Sequence, residues 1–362
     1  MSLTSTTLKW LLVLGALLVP AAALLLWSRV RGPRVVRVGQ RLGLVLGAQF
    51  LAVLLTFVWV NDQYVFFASW DDLLGKPSAA PAIVATSGKS GPLRASDGGR
   101  LLQFRDYRGT LSGIEQPVLV HLPPEYDEPA YAHRAFPVVE FLAGWRGYPR
   151  SWLSQLLMFD DLAKLDQQHQ VQPFISVMPT VNVALPRDTE CTDVPHSTKA
   201  FTWLADDVPA LVTQHFRVLT RPQSWGAVGY STGGYCAAKL VYLRPQRFHV
   251  AVAASAYFNA LQDDTTGDLW GGSQAVRDQN DLLWLTRHGL HPDADLLVFT
   301  TKEDSSSYGS SKELLSISKA PTRTYSVIAE HGGHNLKVLR VALPEMLVWL
   351  SQHLSGLAPV TS

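Results

Sequence analysis

Residues 225–243 read W-G-A-V-G-Y-S-T-G-G-Y-C-A-A-K-L-V-Y-L, and this stretch decides the fold. A predicted strand at 225–229 leads into the motif G-x-S-x-G at Gly229–Gly233, and a predicted helix covers 233–243. The glycines let the helix return beside the strand, and the tight turn lifts the Ser231 hydroxyl to the edge of a sheet. The motif alone is a weak signal, and an ordinary glycine turn is the alternative. Its place between a strand and a helix favours Ser231 as a nucleophile.

The region from residue 101 onward alternates predicted strands and helices. Further strands are expected at 116–122, 137–142, 174–178, 250–254, 296–300 and 324–328, and helices at 152–168, 205–215 and 343–354. This alternation favours a mostly parallel sheet with helices on both faces. Reactive residues in such sheets lie on loops at the carboxyl ends of the strands. We therefore expect an α/β fold of the α/β-hydrolase type.

A general base is expected after the nucleophile, because the chain order in this fold is serine, acid, histidine. His334 lies in E-H-G-G-H-N at 330–335, after the last predicted strand and before the final helix. His331 is a competitor, and a two-histidine metal site is a further alternative. No second pair of ligands has suitable spacing for zinc, so we expect neither a metal nor a cofactor.

The acid is expected at the end of the preceding strand. Asp304 follows the strand at 296–300 and lies thirty residues before His334. Its role would be to hold the imidazole in the correct tautomer and to stabilise the imidazolium. Glu303 and Glu313 are the alternatives.

An oxyanion hole needs backbone N–H groups that face the developing negative charge. One is expected from Thr232, which follows the nucleophile. The other is expected from the loop A-G-W-R-G at 143–147, where Trp145 is the predicted donor and Gly144 gives the backbone room.

Two apolar runs, at 10–27 and 42–60, open the chain. Each is close to the ~20 residues that a helix needs to cross a bilayer. A signal peptide or buried core helices are the alternatives. Between the runs lie five arginines and no acidic residue: Arg29, Arg31, Arg34, Arg37 and Arg41. Because basic residues accumulate in cytoplasmic loops, we expect a multi-pass protein of the cell membrane with two spans and an extracytoplasmic catalytic domain.

The predicted organisation is a two-helix anchor at 1–62, a juxtamembrane segment and linker at 63–99, and a catalytic domain at 100–358. A formal net charge of +1 gives no indication of a nucleic-acid partner. The chain has two cysteines and no CxxC, which excludes a zinc ribbon. In an oxidising compartment we expect a Cys191–Cys236 disulfide, with two buried thiols as the alternative.

Five segments together resemble the esterase D / antigen 85-like (mycolyltransferase-like) branch of α/β-hydrolases, including membrane-anchored actinobacterial members. They are F-L-A-G-W-R-G at 141–147, G-Y-S-T-G-G-Y-C-A at 229–237, D-L-W-G-G…R-D-Q-N-D at 268–281, G-G-H-N at 332–335 and A-L-P-E-M-L-V-W-L at 342–350.

The resemblance implies that Ser231 and His334 are catalytic and that the amide of Trp145 lines the oxyanion hole. It also implies that Arg146 lies near an acyl-acceptor site and Trp270 near the cleft. Antigen 85 proteins carry a glutamate acid further along the chain, which Glu313 would match, whereas the esterase D pattern favours Asp304.

The expected function is hydrolysis of carboxylic esters, such as lipid or cell-envelope acyl esters, through an acyl-enzyme. An acyltransferase that uses a sugar or lipid hydroxyl instead of water is the first alternative. Trp145, Arg146, Trp152 and Trp270 would form its acceptor site. A non-catalytic surface-binding protein on the same fold is the second alternative.

Overall fold

The computed structural model describes residues 6–27, 29, 31–64, 84–85, 93–95 and 97–360. The chain divides into two compact units, Met1–Ala80 with Asn335–Lys337 and Pro81–His334 with Val338–Ser362. Most of the predicted linker at 63–99 lies outside the described residues.

The N-terminal unit contains two long helices, α1 (Thr6–Leu26) and α2 (Arg34–Tyr64). Spans of 20 and 28 residues within them are long and apolar enough to cross a membrane. Helix α2 begins earlier than the predicted apolar run, so three of the five arginines lie in its first turns. One of these, Arg41, donates a hydrogen bond to the Trp27 carbonyl, and its guanidinium lies 4.8 Å from the Trp27 ring centre.

The second unit is built on one large sheet. Its strands are β1 (Val84–Ala85), β2 (Leu93–Arg94), β3 (Arg100–Arg108), β4 (Glu115–Leu122), β6 (Val138–Leu142), β7 (Ile175–Pro179), β8 (Trp225–Tyr230), β9 (Val250–Ala254), β10 (Asp295–Thr301) and β11 (Arg323–Ala329). Their order is β1-β3-β4-β7-β6-β8-β9-β10-β11, with β2 beside β3. Pairing is antiparallel from β2 through β3 and β4 to β7, and parallel from β7 to β11. This topology confirms the predicted α/β fold.

Two short strands, β5 (Arg134–Ala135) and β12 (Ala358–Pro359), pair with each other in a separate antiparallel ladder. The helices of this unit are α3 (Ser151–Ser154), α4 (Met158–Gln167), α5 (Ala200–Thr202), α6 (Val208–His215), α7 (Thr232–Leu243), α8 (Gln274–Gln279), α9 (Leu282–Arg287), α10 (Tyr308–Ile317) and α11 (Leu336–His353).

The helix predicted at 152–168 is interrupted at Leu157. This residue has φ 53°, in the left-handed region, where a helix of L-residues cannot continue. The interruption leaves Leu156 and Met158 both fully buried. One continuous helix was therefore a wrong prediction, and burial on both sides of the break accounts for the two short helices.

The helix predicted at 205–215 begins earlier, at Ala200, and contains a π-helical turn at Trp203–Asp207. Trp203 is fully buried there, and its indole N–H donates to the Thr180 carbonyl at 3.0 Å. The final helix also begins earlier than predicted, at Leu336.

The central parallel strands β6 to β10 are buried on both faces and consist mostly of apolar residues. Glu140, in the middle of β6, is a carboxyl among them. Its side chain is fully buried, and neither carboxyl oxygen has a hydrogen-bond partner in the described part of the chain. Burial raises the pKa of Glu140 well above its usual value and so favours the protonated carboxyl.

Candidate active site

Ser231 lies at the turn between β8 and α7, with φ 54° and ψ −128°. Its N–H donates to the Ala254 carbonyl at 2.9 Å, which ties the turn to β9. Two glycines make this turn possible. A Cβ at Gly229 would lie 2.0 Å from the Gly233 carbonyl oxygen, and a Cβ at Gly233 would lie 2.1 Å from the Leu142 carbonyl oxygen. Any side chain at either position would therefore push the helix away from the sheet.

Hydrogen-bond contacts connect the Ser231 hydroxyl to His334 and His334 to Asp304. Nε2 of His334 is 3.0 Å from Oγ of Ser231, and Nδ1 is 2.9 Å from Oδ2 of Asp304. The Asp304 carboxylate is fully buried, whereas the imidazole is 40% exposed. Ser231 is half-buried and the imidazole partly exposed, while the carboxylate is shielded from water.

The Asp304 carboxylate accepts several further hydrogen bonds. Oδ1 accepts from Oγ of Ser306 at 2.6 Å, and Oδ2 accepts from Oγ of Ser307 at 2.6 Å. The backbone N–H groups of the same two serines also donate to Oδ1. Burial alone would raise the pKa of Asp304, but the hydrogen bonds from His334 and the two serines outweigh it and lower the pKa far below its usual value. Asp304 is therefore an anion at any physiological pH.

The alternative acids lie elsewhere. Glu303 accepts from Nδ1 of His331 at 2.8 Å and from the Gly332 N–H at 2.9 Å. The hydrogen bond from His331 to Glu303 raises the pKa of the exposed His331 imidazole. Glu313 forms an ion pair with Arg287. The structure thus brings Asp304, and neither glutamate, into hydrogen-bond distance of His334.

The loop at 143–147 lies against the nucleophile. A Cβ at Gly144 would meet the Tyr230 ring at 2.8 Å and Cβ of Ser231 at 3.1 Å, so the close approach requires glycine. Trp145 follows and is half-buried, while Arg146 is exposed and has φ 61°. Thr232 is the first residue of α7, where backbone N–H groups have no partner within the helix. The two predicted oxyanion donors therefore lie on segments that touch Ser231 or directly follow it.

A buried polar network lies behind Thr232. Its hydroxyl donates to Oδ2 of Asp188 at 3.0 Å and lies 3.2 Å from the Tyr257 hydroxyl. Tyr257 donates in turn to Oε1 of Glu190, and burial raises the pKa of Glu190 to about 8. Lys239 donates to the Cys191 carbonyl at 2.9 Å, and burial lowers its pKa to about 7.

A disulfide joins Cys191 to Cys236, with an S–S distance of 2.04 Å and a Cα–Cα distance of 5.9 Å. Cys236 lies one turn after Thr232 in α7, and Cys191 follows the segment that carries Asp188 and Glu190. The bridge therefore fastens this polar segment to the helix that begins with Thr232.

Two of the predicted acceptor-site aromatics are buried. Trp152 is fully buried and packs edge-on against Phe141. Trp270 is 3% exposed and lies in a small apolar cluster with Val194, Ala260 and Leu269. Little of either ring is available to a ligand. On the loop near Ser231, the accessible aromatic rings are those of Trp145 and Tyr148, the latter 60% exposed.

Three residues near the site were not predicted from the sequence: Ser306, Ser307 and Asn182. The run D-S-S-S at 304–307 was a usable signal, since serines directly after a buried carboxylate often donate to it through their side chains and N–H groups. Asn182 had no such signal, because its contacts are made to a loop more than thirty residues earlier in the chain.

A serine on a strand-to-helix turn, with a histidine and a carboxylate from later loops of a mostly parallel sheet, defines the α/β-hydrolase class. The model of the Esterase family matches residues 111–352. The chain therefore belongs to the esterase family, a family of enzymes that hydrolyse ester bonds, and the resemblance seen in the sequence is confirmed.

Similar proteins extend this comparison. An uncharacterised protein of Corynebacterium glutamicum is 26% identical over 250 residues, which cover 64% of this chain and 56% of the relative. The chain thus matches little more than half the length of that curated relative. S-formylglutathione hydrolase from Agrobacterium tumefaciens has a similar structure, with a TM-score of 0.61, 17% identity and coverage of 72% of this chain and 98% of the hydrolase. Fluorophosphonate-binding serine hydrolase F of Staphylococcus aureus has a TM-score of 0.57, 18% identity and coverage of 72% and 99%. At these identities the two structures show the shared fold.

Proposed function

We propose that this chain is a serine esterase that hydrolyses carboxylic esters through an acyl-enzyme. The observation that carries the proposal is the continuous chain of contacts from Ser231 through His334 to Asp304, at 3.0 and 2.9 Å. Separations of this size are within the range that direct proton transfer requires.

In the first half of the reaction, Nε2 of His334 takes the proton of the Ser231 hydroxyl while Oγ attacks the ester carbonyl. The tetrahedral oxygen is held by the N–H groups of Trp145 and Thr232. His334 then gives its proton to the departing alcohol, which leaves an acyl group on Ser231. Asp304 stabilises the imidazolium throughout and keeps the Nδ1 proton in place.

In the second half, water takes the place of the alcohol. His334 removes a proton from the water, and the resulting attack on the acyl-enzyme releases the acid and restores Ser231. No further group is required, because the same imidazole serves as base and then as acid in each half.

The experiment is labelling by a fluorophosphonate probe, with Ser231→Ala as the control. We expect stoichiometric phosphonylation of the wild-type chain at Ser231 and none in the variant. Hydrolysis of a short p-nitrophenyl ester should disappear in the same variant. Absence of labelling in correctly folded wild-type protein would instead support a non-catalytic binding protein on this fold.

Acyl transfer is the second candidate, and the exposed side chains beside Ser231 favour it. Arg146 is exposed, its guanidinium lies 5.9 Å from the Trp145 ring centre, and Tyr148 is exposed nearby. A forked guanidinium and aromatic faces suit a sugar acceptor. Partition of the acyl-enzyme between water and added glycerol or trehalose decides the question: predominant formation of new ester at modest acceptor concentration would identify a transferase.

We further propose that α1 and α2 hold the enzyme in the cell membrane, with the catalytic unit outside the cytoplasm. The length and apolarity of the two helices, the arginines between them and the Cys191–Cys236 disulfide support this location. Lipid or cell-envelope acyl esters are then the accessible substrates. A C-terminal reporter that is active only in the cytoplasm should be silent, and strong reporter activity would reverse the orientation.

A further inference from the structure

The proposed mechanism places two backbone N–H groups, those of Trp145 and Thr232, around the tetrahedral oxygen. In a trans peptide the N–H of one residue and the C=O of the preceding residue point in opposite directions. Whatever holds the preceding carbonyl therefore also sets the direction of the N–H. The two donors differ in what holds that carbonyl.

The donor at Thr232 is set by the helix itself. The Ser231 carbonyl accepts a hydrogen bond from the Tyr235 N–H at 3.0 Å, in the first turn of α7. This bond needs no side chain, so the direction of the Thr232 N–H follows from the fold.

The donor at Trp145 has no helix to set its direction. The Gly144 carbonyl accepts from the Gly147 N–H at 2.9 Å and from Nδ2 of Asn182 at 3.1 Å. The other proton on Nδ2 of Asn182 is donated to the Gly147 carbonyl at 2.7 Å. Only the NH2 end of the amide can satisfy two carbonyl oxygens, so the orientation of the side chain follows from its partners.

Burial of Asn182 increases the free-energy cost of losing these hydrogen bonds. Asn182 is 5% exposed and lies three residues after the end of β7. The Trp145 N–H donates to no residue in the part of the chain that the structure describes, which leaves it available for a substrate oxygen. Within the same turn, Arg146 has φ 61°, a conformation that an L-residue adopts only at a cost. Without Asn182 the turn would keep its strained residue and lose both hydrogen bonds that the Asn182 amide donates to it.

We propose that Asn182 is a positioning residue of the oxyanion hole. Its amide holds the carbonyls of Gly144 and Gly147 on the far side of the loop and so directs the Trp145 N–H toward the tetrahedral oxygen. Asn182 touches no reacting atom, and its effect on the reaction passes through the Gly144–Trp145 peptide. This inference rests on the proposed esterase mechanism.

The test compares the full chain in detergent with Asn182→Ala and Asn182→Asp. Turnover of a short p-nitrophenyl ester, measured as kcat, should fall by about 10²–10³-fold, as for loss of one oxyanion donor, with KM changed by less than about twofold. Affinity for a boronate that forms a tetrahedral adduct with Ser231 should fall by a similar factor. Affinity for an unreactive ether analogue of the ester should not change. The aspartate should be no better than alanine, because a carboxylate has no proton to donate.

Gln172→Ala is the matched control. Gln172 is half-buried, and its Nε2 also donates to two backbone carbonyls, those of Ser351 at 2.7 Å and Leu354 at 2.9 Å, away from the oxyanion loop. It should lose thermal stability as Asn182→Ala does, yet keep wild-type kcat and boronate affinity. The proposal is overturned if Asn182→Ala retains the wild-type preference for the boronate over the ether. If the wild-type chain hydrolyses no ester, the proposed function fails, and boronate affinity still decides the role of Asn182.

Discussion

Oγ of Ser306 lies 3.0 Å from Nδ1 of His334. The same hydroxyl donates to Oδ1 of Asp304 at 2.6 Å, so its own proton is committed to the carboxylate and its lone pairs face the imidazole. The Nδ1 proton of His334 therefore lies between two oxygens, that of Ser306 and Oδ2 of Asp304. Ser306 thus contacts both the carboxylate and the imidazole.

Ser306→Ala should lower kcat by about tenfold, because a hydrogen bond to a charged group contributes about 1.5–3 kcal/mol and a tenfold rate change corresponds to about 1.4 kcal/mol. The matched control is Ser305→Ala in the same serine run, because both serines are exposed but only Ser306 donates its hydroxyl to Asp304. Steady-state kinetics on a p-nitrophenyl ester measures both. Equal rates for the two variants would remove Ser306 from the site.

Asp304→Asn should lower kcat by about 10³–10⁴-fold, because the amide can hold neither the tautomer nor the imidazolium. Glu303→Gln and Glu313→Gln should stay within a fewfold of wild type, since both carboxylates have other partners. Because the pKa of Asp304 is lowered, its ionisation stabilises the fold above the usual carboxyl pKa and is lost only as pH falls through the depressed value. Kinetics of the three variants at neutral pH tests the assignment, which a large loss at either glutamate would contradict.

Replacement of both cysteines, Cys191→Ser with Cys236→Ser, should lower the free energy of unfolding by about 2–4 kcal/mol. It should also lower turnover per folded molecule, because the freed segment carries Asp188, the partner of the Thr232 hydroxyl. Both cysteines are 1% exposed, so a mild reductant should leave the folded protein unchanged and reach the bridge only in denaturant. Denaturant titration and intact mass measure these effects. An unchanged denaturation midpoint in the double variant would show that the bridge has no part in stability.

Glu140→Gln should stabilise the catalytic unit increasingly as pH rises. Burial holds the folded-state pKa of Glu140 well above its usual value, whereas the unfolded state ionises it above about pH 4.3, so the wild-type free energy of unfolding falls as pH rises above that point. The variant has no such proton, so its advantage should grow from pH 5 to pH 8, by at most about 1.4 kcal/mol for each pH unit. Thermal melts at pH 5 and pH 8 compare the two. Glu128→Gln, at an exposed site, is the control, and a pH-independent difference at Glu140 would contradict the prediction.

The sheet could be predicted from the sequence because its central strands are mostly apolar. The structure starts β8 at the predicted Trp225 and matches β9 at both ends. Ser231 and His334 could be assigned as partners because a local motif and the order of elements along the chain determine both positions. The signal is local for the strands and for Ser231, whereas for His334 it is the order of elements along the chain.

Features that depend on tertiary contacts could not be predicted. The break in the predicted helix at Leu157 accompanies burial of its neighbours Leu156 and Met158 in the core, and no glycine or proline marks it. Helices α8 and α9 are six residues each, too short for a clear period, and begin at side-chain caps from Ser273 and Asp281. Asn182 reads as an ordinary loop residue until the fold brings the 143–147 turn to its amide.

Formation of the bridge between Cys191 and Cys236 also depends on the compartment in which the protein folds. Disulfides persist where thiols are kept oxidised and are rare in the cytosol. A copy retained in a reducing compartment would carry its polar segment unfastened from the helix that begins with Thr232. At the proposed extracytoplasmic location the bridge would form only after export, so the site would be fastened only outside the compartment where the cell holds its own metabolic esters.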